Sequence, residues 1–243
     1  MSPRVRLVLF LVAAAAVALL FVPAVLDLPA FGGTAHPYRD AAVAAGVAHA
    51  TANIVSAVNY DQRALDTLGE ETILLGSVIG AVALLRPSAE EREQTVVPRG
   101  EGPLEAVRLV GHLLLPVTLL IGVDLVVHGG LTPGGGFQGG VVLGTAVHLL
   151  YLAGQYPALQ RLRPVPLFDA GEAVGTGAFV ALGLAGIAVG AAFLANVLPI
   201  GTFGSLLSGG TVPLLSAAVG IEVASGVIVL LAGFFEQALR VQR

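Results

Sequence analysis

Long uncharged apolar runs, rather than alternating or one-sided ones, dominate this chain. A helix needs about 20 apolar residues to cross about 30 Å of hydrocarbon. Six stretches qualify. Leu7–Leu26 is uncharged, and Thr67–Leu85 carries Glu70 and Glu71 near its start. Leu104–Val127 carries Glu105, Arg108 and His112 early and Asp124 late. Phe137–Tyr156 contains His148, Ala173–Leu198 is uncharged, and Val212–Phe235 has Glu222 as its one charge. A further stretch, Ala41–Val58, interleaves His49, Thr51, Asn53 and Ser56 among alanines. It is too weakly hydrophobic to face lipid and reads as a helix at the interface or packed on protein. The pattern predicts an all-α, polytopic membrane helical bundle. It has about six transmembrane helices plus one interfacial or partly buried helix.

Composition narrows the function. Of 243 residues 56% are hydrophobic and 12% charged, against about 25% charged in soluble domains. All 12 basic residues are Arg, and the net charge is −4. Scattered Arg cannot form the dense basic face that nucleic acid requires. The chain has no Cys, which removes thiol chemistry and thiolate-held zinc. The five His fall on separate segments without metal-ligand spacing, so neither a metal nor a cofactor is expected. With six spans, 10 of the 12 Arg share one side, and only Arg39 and Arg63 fall opposite. A crossing by Ala41–Val58 would make the split 9 to 3. The bias favours six spans modestly, and the weak hydrophobicity of Ala41–Val58 carries the rest. With six spans the positive-inside rule places both termini in the cytoplasm of a multi-pass cell-membrane protein. A rival reading of the first span is a cleaved signal peptide. The length of its apolar run and the lack of a clear small-x-small site argue against it.

The chain divides at RPSAEEREQTVVPRGEGP, rich in Pro, Glu and Arg. This predicts a two-span domain over residues 1–86, a linker over 87–103 and a four-span domain over 104–243. A shorter basic loop at Gln160–Pro166 separates two hairpins. Gly136, Gly140 and Gly144 share a helix face, as do Gly171 with Gly175 and Gly186 with Gly190. Such stripes let helix backbones approach closely in lipid, within the chain or between neighbouring chains.

Gly129–Gly140, GGLTPGGGFQGG, holds seven Gly in twelve residues. Gly134, Gly136 and Gly139 match a dinucleotide fingerprint, but no strand precedes them and a membrane helix follows. The structural reading is a tight turn of positive-φ glycines. Its backbone amides could also hold an anion or a partner's loop. In DQRALDTLGEE, Asp66 can cap the second span and Glu70 lies one turn in, near the hydrocarbon boundary, with Arg63 a candidate partner. Glu222 falls near mid-depth, where a charge costs about 3 kcal/mol. His148 is a candidate partner for it; the alternative is that both are neutral packing residues. Asp124 and His128 are spaced to pair locally, and His112 follows Arg108 by four.

Two blocks resemble a known family. Residues Leu104–Leu239, through RLVGHLLLPVTLLIGVDLVVHGGLTPGGGFQGGVVLG and a four-span layout, resemble the MnhB component of Mrp/Mnh-type multisubunit Na+/H+ antiporters. Val5–Leu85, through DQRALDTLGEETILLG, resembles the two-span domain at the C-terminal end of the MnhA component. In related membrane-bound hydrogenases that domain is a separate, MbhE-like chain. Two positions depart from the pattern: Gly130 stands where His is common, and Glu71 where an apolar residue is commoner.

The resemblance implies a non-enzymatic component of a complex. Its partners would be other antiporter subunits, among them large complex I-like ones carrying the Lys/Glu proton chains, together with lipid, Na+ and H+. It implies roles in assembly and in part of an ion path. Asp66 and Glu70 carry over as path residues, with Glu222 and His148 as further candidates from their depth. Pro133, Gly134, Gly135 and Gly136 carry over as an assembly or gating turn. The alternatives are a membrane subunit of an ion-pumping hydrogenase or complex I-related oxidoreductase, or a purely structural scaffold.

Overall fold

The computed structural model describes residues 3–28, 32–86, 103–153 and 164–241. The expected linker, apart from Pro103, and most of the Gln160–Pro166 loop lie outside the described residues. The chain forms two compact units, 1–40 and 41–243. The first contains α1 (Pro3–Leu26), an apolar helix with Pro23 inside it and no buried residue. α2 (Pro37–Ala48) leads into the second.

The second unit contains α3 (Ile54–Ala57), a π-helical turn (Val58–Gln62) and α4 (Ala64–Leu84). It continues with α5 (Glu105–Val127), α6 (Gly136–Leu152), α7 (Val165–Ala188) and α8 (Val212–Val241). Its axis is α8, which packs against α4, α5, α6 and α7. Two thirds of the α8 apolar stretch is buried, whereas α4 and α5 leave most of theirs exposed. Exposed Leu, Val and Ile on α4 and α5 are the expected dress of helices whose outer faces meet lipid tails or other subunits.

Small residues set the distances within this unit. A Cβ added at Gly140 would lie 2.7 Å from Val223 Cβ, and one at Gly144 would lie 2.8 Å from Val227 Cγ1. The stripe expected on α6 is thus an internal seam against α8. On another face of α6, Gly139 meets Val126, and Gly122 of α5 meets Leu143. Contacts that advance together along the seam make α6 parallel to α8. Those of Gly171 with Ser225 and Gly175 with Glu222 make α7 antiparallel to it. The alternation is that of helices crossing a membrane in succession.

Three expectations change. The fourth apolar run forms a helix of 17 residues, shorter than the five that are long enough to cross by length. Ala173–Leu198 is not one helix: α7 starts earlier, at Val165, and stops at Ala188. Gly190, at φ +82°, donates to Ile187 O, and Ala191 N donates back to Gly186 O at 2.9 Å. That pair of bonds closes the last turn around a left-handed residue and overrides a hydrophobic pattern that would continue. Ala41–Val58 likewise breaks in two. Ala50 takes φ +54°, Thr51 N donates to Gly46 O, and Asn53 Oδ1 caps the following helix through Val55 N. The segment packs on protein, burying Ala42, Gly46, Ser56 and Ala57.

Candidate functional site

Two polar constellations lie inside this apolar bundle. The first is the glycine turn between α5 and α6. Gly134 and Gly135 have φ of +158° and +129°, and a Cβ on Gly134 would sit 2.9 Å from Leu125 O. These two positions therefore require glycine. The turn exposes carbonyls that a loop of the same chain reads. Asn53 Nδ2 donates to Gly129 O at 2.7 Å and to Thr132 O at 2.9 Å, Ser56 Oγ donates to Gly129 O, and Asn53 N donates to Gly130 O. Tyr60, from the π-helical turn, is 2% exposed and lies beside the Gly136 backbone and the Ser216 hydroxyl. Burial pushes its phenol well above the ordinary tyrosine range, with the nearby carboxyls of Glu71 and Glu70 adding to the shift. The structure thus seats the Gly129–Gly136 turn through its carbonyls on residues 53–60. No Asn53, Ser56 or Tyr60 role was legible in the sequence beyond their polarity in an apolar stretch.

Around that seat, His49 Nδ1 meets Asp61 Oδ2 at 2.5 Å, and Gln62 Nε2 donates to Ala42 O. Thr67 Oγ1 donates to Asn59 O at 2.7 Å. These bonds fix the π-helical turn between α2 and the start of α4.

The second constellation is acidic. Glu71 of α4 and Glu222 of α8 are each fully buried, and their carboxyls face one another. None of their four oxygens meets a donor in good hydrogen-bond geometry. Glu222 sits opposite Gly175, whose missing side chain makes room for it: a Cβ there would be 2.6 Å from Glu222 Cβ. The Thr176 hydroxyl, which donates to Glu172 O at 3.1 Å, lies beside Glu222. One turn further along α8, Gly226 leaves space for Glu172, whose Oε1 would be 3.1 Å from a Cβ on that glycine. Glu172 is 4% exposed and its Oε1 has no hydrogen-bond partner. It lines a cavity of about 470 Å³ between α4, α7 and α8, together with Val78, Arg86, Asp169, Val229 and Gly233.

The residues singled out from sequence fall as follows. Glu222 is in this cluster. Asp66 and Glu70 are exposed on the first turns of α4, and Asp66 Oδ2 pairs with Arg63 at 2.5 Å. His148 is buried, its Nδ1 held 2.6 Å from Gly144 O and its ring edge-on to Phe235. Phe235 is 13 residues beyond Glu222, about 20 Å along a helix, so the structure separates His148 from Glu222. Pro133–Gly136 form the seated turn. Asp124 and His128 pair at 2.9 Å as their spacing predicts, and His112 Nδ1 meets Arg108 O. Sequence reasoning did not reach Glu172, which precedes the apolar run that begins at Ala173, and it took Glu71 only as a departure from the family pattern. A Gly at 175 and another at 226 were the available signals, and neither names its neighbour.

The chain as a whole is similar to known proteins. The profile of a family described as "Domain related to MnhB subunit of Na+/H+ antiporter" matches residues 106–229. The uncharacterized protein MJ1307 of Methanocaldococcus jannaschii is 30% identical over 203 residues, covering 72% of this chain and 73% of that protein. Among solved structures, a chain of the membrane-bound sulfane sulfur reductase, an archaeal respiratory membrane complex, superposes with a TM-score of 0.72 at 28% identity. The overlap covers 95% of this chain and 98% of that one. A chain of the Mrp complex from Dietzia sp. DQ12-45-1b gives a TM-score of 0.66 at 24% identity, a likeness of fold. That match covers 96% of this chain but only 26% of the other.

Proposed function

We propose that this chain, which belongs to the family of domains related to the MnhB subunit of Na+/H+ antiporters, is a non-enzymatic membrane subunit that helps assemble an antiporter-type complex and lends it part of an ion path. The observation that carries the reading is the family match over residues 106–229. Nearly the whole chain also superposes on nearly the whole of one chain of a membrane complex. Its partners in this reading are other Mrp-type subunits, including large complex I-like ones, and its ions are Na+ and H+. Residues 1–86 then serve as the counterpart of the two-span end of the MnhA component, and residues 104–243 as the MnhB counterpart. The turn at Pro133–Gly136, in a loop that Asn53 and Ser56 hold at the Gly129 carbonyl just before it, presents a pre-formed surface for assembly. Glu70, exposed on α4 with Asp66 one turn earlier, accepts a cation or proton at a hydrated cavity shared with a neighbour. Glu222 and His148 are further candidates on the path.

A Glu70→Gln variant should enter the complex normally and lose most cation/proton exchange in vesicles. Full exchange by an assembled variant removes Glu70 from the path.

A second reading draws on the match to the respiratory complex. In it the chain serves the same membrane role beside a redox module. Purification in mild detergent separates the two. Large antiporter-like chains without redox subunits support the first, and a co-purifying redox protein supports the second.

A further inference from the structure

We propose that Glu71, Glu222 and Glu172 form a proton site inside this protein, in which Glu71 and Glu222 hold one proton between them and Glu172 loads it from the cavity between α4, α7 and α8. This deepens the ion-path reading above and rests on it: behind the exposed start of α4 it adds a stretch of the path inside the bundle.

The geometry points to this in three steps. First, a buried carboxyl ordinarily finds donors. Here Glu71 and Glu222 are fully buried with all four oxygens unpartnered, and each carboxyl is turned toward the other. The Thr176 hydroxyl beside Glu222 donates to Glu172 O, so the missing donor is supplied most simply by a proton on one carboxyl given to its neighbour. Second, the fold clears space for these side chains. Gly175 accommodates Glu222, and Gly226 accommodates the Glu172 carboxyl. Third, Glu172 connects two regions. It borders the cavity with Asp169 and Arg86, and from α7 it sits against Gly226, which is one helical turn along α8 from Glu222. A hydronium in the cavity would protonate a Glu172 oxygen and leave as water; Glu172 would pass the proton to Glu222, which shares it with Glu71. The pair empties by the same route in reverse, from Glu222 to Glu172 to cavity water, before it is loaded again.

The occupant is a proton rather than a metal cation because the carboxyls form a file, not a cage. Among the described residues no three His, Asp or Glu side chains converge so as to hold a metal ion. A proton needs only one oxygen on each side.

The test is infrared difference spectroscopy on the whole complex, reading the C=O stretch of protonated carboxyls and its shift on transfer to D2O. Wild type should show a buried carboxylic-acid band. Either Glu71→Gln or Glu222→Gln should remove it, and the double variant should remove nothing more. Glu172→Gln should keep the band but slow its exchange about a hundredfold, the scale of a lost proton-transfer group. A band unchanged in both single variants overturns the proposal, as does exchange at the wild-type rate in Glu172→Gln. Loss of the wild-type band on adding Na+ at constant pH would make the occupant a metal cation and also overturn it. If the Glu71 or Glu222 variants fail to assemble, Glu172→Gln tests the loading route alone. The band can be absent while the complex still exchanges ions through Glu70, so the two readings fail separately.

Discussion

At the residue scale, burial decides what a polar side chain can do. Glu70 and Glu71 are adjacent on α4, yet one faces outward and the other meets Glu222, because neighbouring helix positions point about 100° apart. Tyr60 shows the same control from outside the spanning helices. Burial raises its pKa above the ordinary value of about 10. Between the ordinary and the raised value the unfolded chain has given up the phenol proton and the folded chain still holds it. The unfolded state therefore binds fewer protons there, and stability falls as pH rises above about 10. Thermal unfolding of the detergent-solubilised protein should lose ground over that range. Tyr60→Phe should flatten the loss, and tyrosinate absorbance from Tyr60 should appear with unfolding rather than before it. An unchanged alkaline profile in Tyr60→Phe would contradict the assignment.

At the element scale, local backbone geometry ends helices that hydrophobicity alone would extend. α7 ends at Ala188 although apolar residues continue to Leu198. Nothing lies within 4 Å of a Cβ placed on Gly190. Gly190→Ala therefore meets no packing clash and feels only the cost of a left-handed conformation at φ +82°. The expected loss is about 1 kcal/mol, measurable as a lower unfolding midpoint with assembly retained. A neutral substitution would show that the turn relaxes. The long apolar runs were readable as helices because a continuous apolar stretch of that length has few other stable solutions in lipid. The internal ends were not, because a Schellman closure depends on one residue's φ. The same holds for Ala41–Val58. Its weak hydrophobicity was visible, but the left-handed Ala50 and the Asn53 cap that divide it were not.

At the scale of the whole molecule, α8 is an axis and the other helices of its unit are arranged on it. The Gly136, Gly140 and Gly144 stripe was legible as a close-packing surface, yet its partner was not, since any smooth helix face satisfies the same spacing. The directions of α6, α7 and α8 leave the side of the membrane open, and there the distribution of Arg supplies the expectation that both termini face the cytoplasm. The absence of native Cys allows a direct check. Single-cysteine variants at Arg4 and Arg240 should react with an impermeant maleimide only from the cytoplasmic face, and one at Arg63 only from the opposite face. Labelling of Arg4 and Arg240 from opposite faces would refute the six-span arrangement.

The sequence by itself determined the class of molecule: a lipid-embedded helical protein, its approximate spans, and the turn that needs glycine. It could do so because hydrocarbon permits few backbone solutions and because positive φ selects one residue type. Only the tertiary structure decided which polar groups meet. Asn53 finds the Gly129 carbonyl across 76 residues, and Glu71 faces Glu222 from a helix 151 positions earlier. Such meetings depend on how helices rotate and slide against one another, which the small residues of the seams permit but do not spell out.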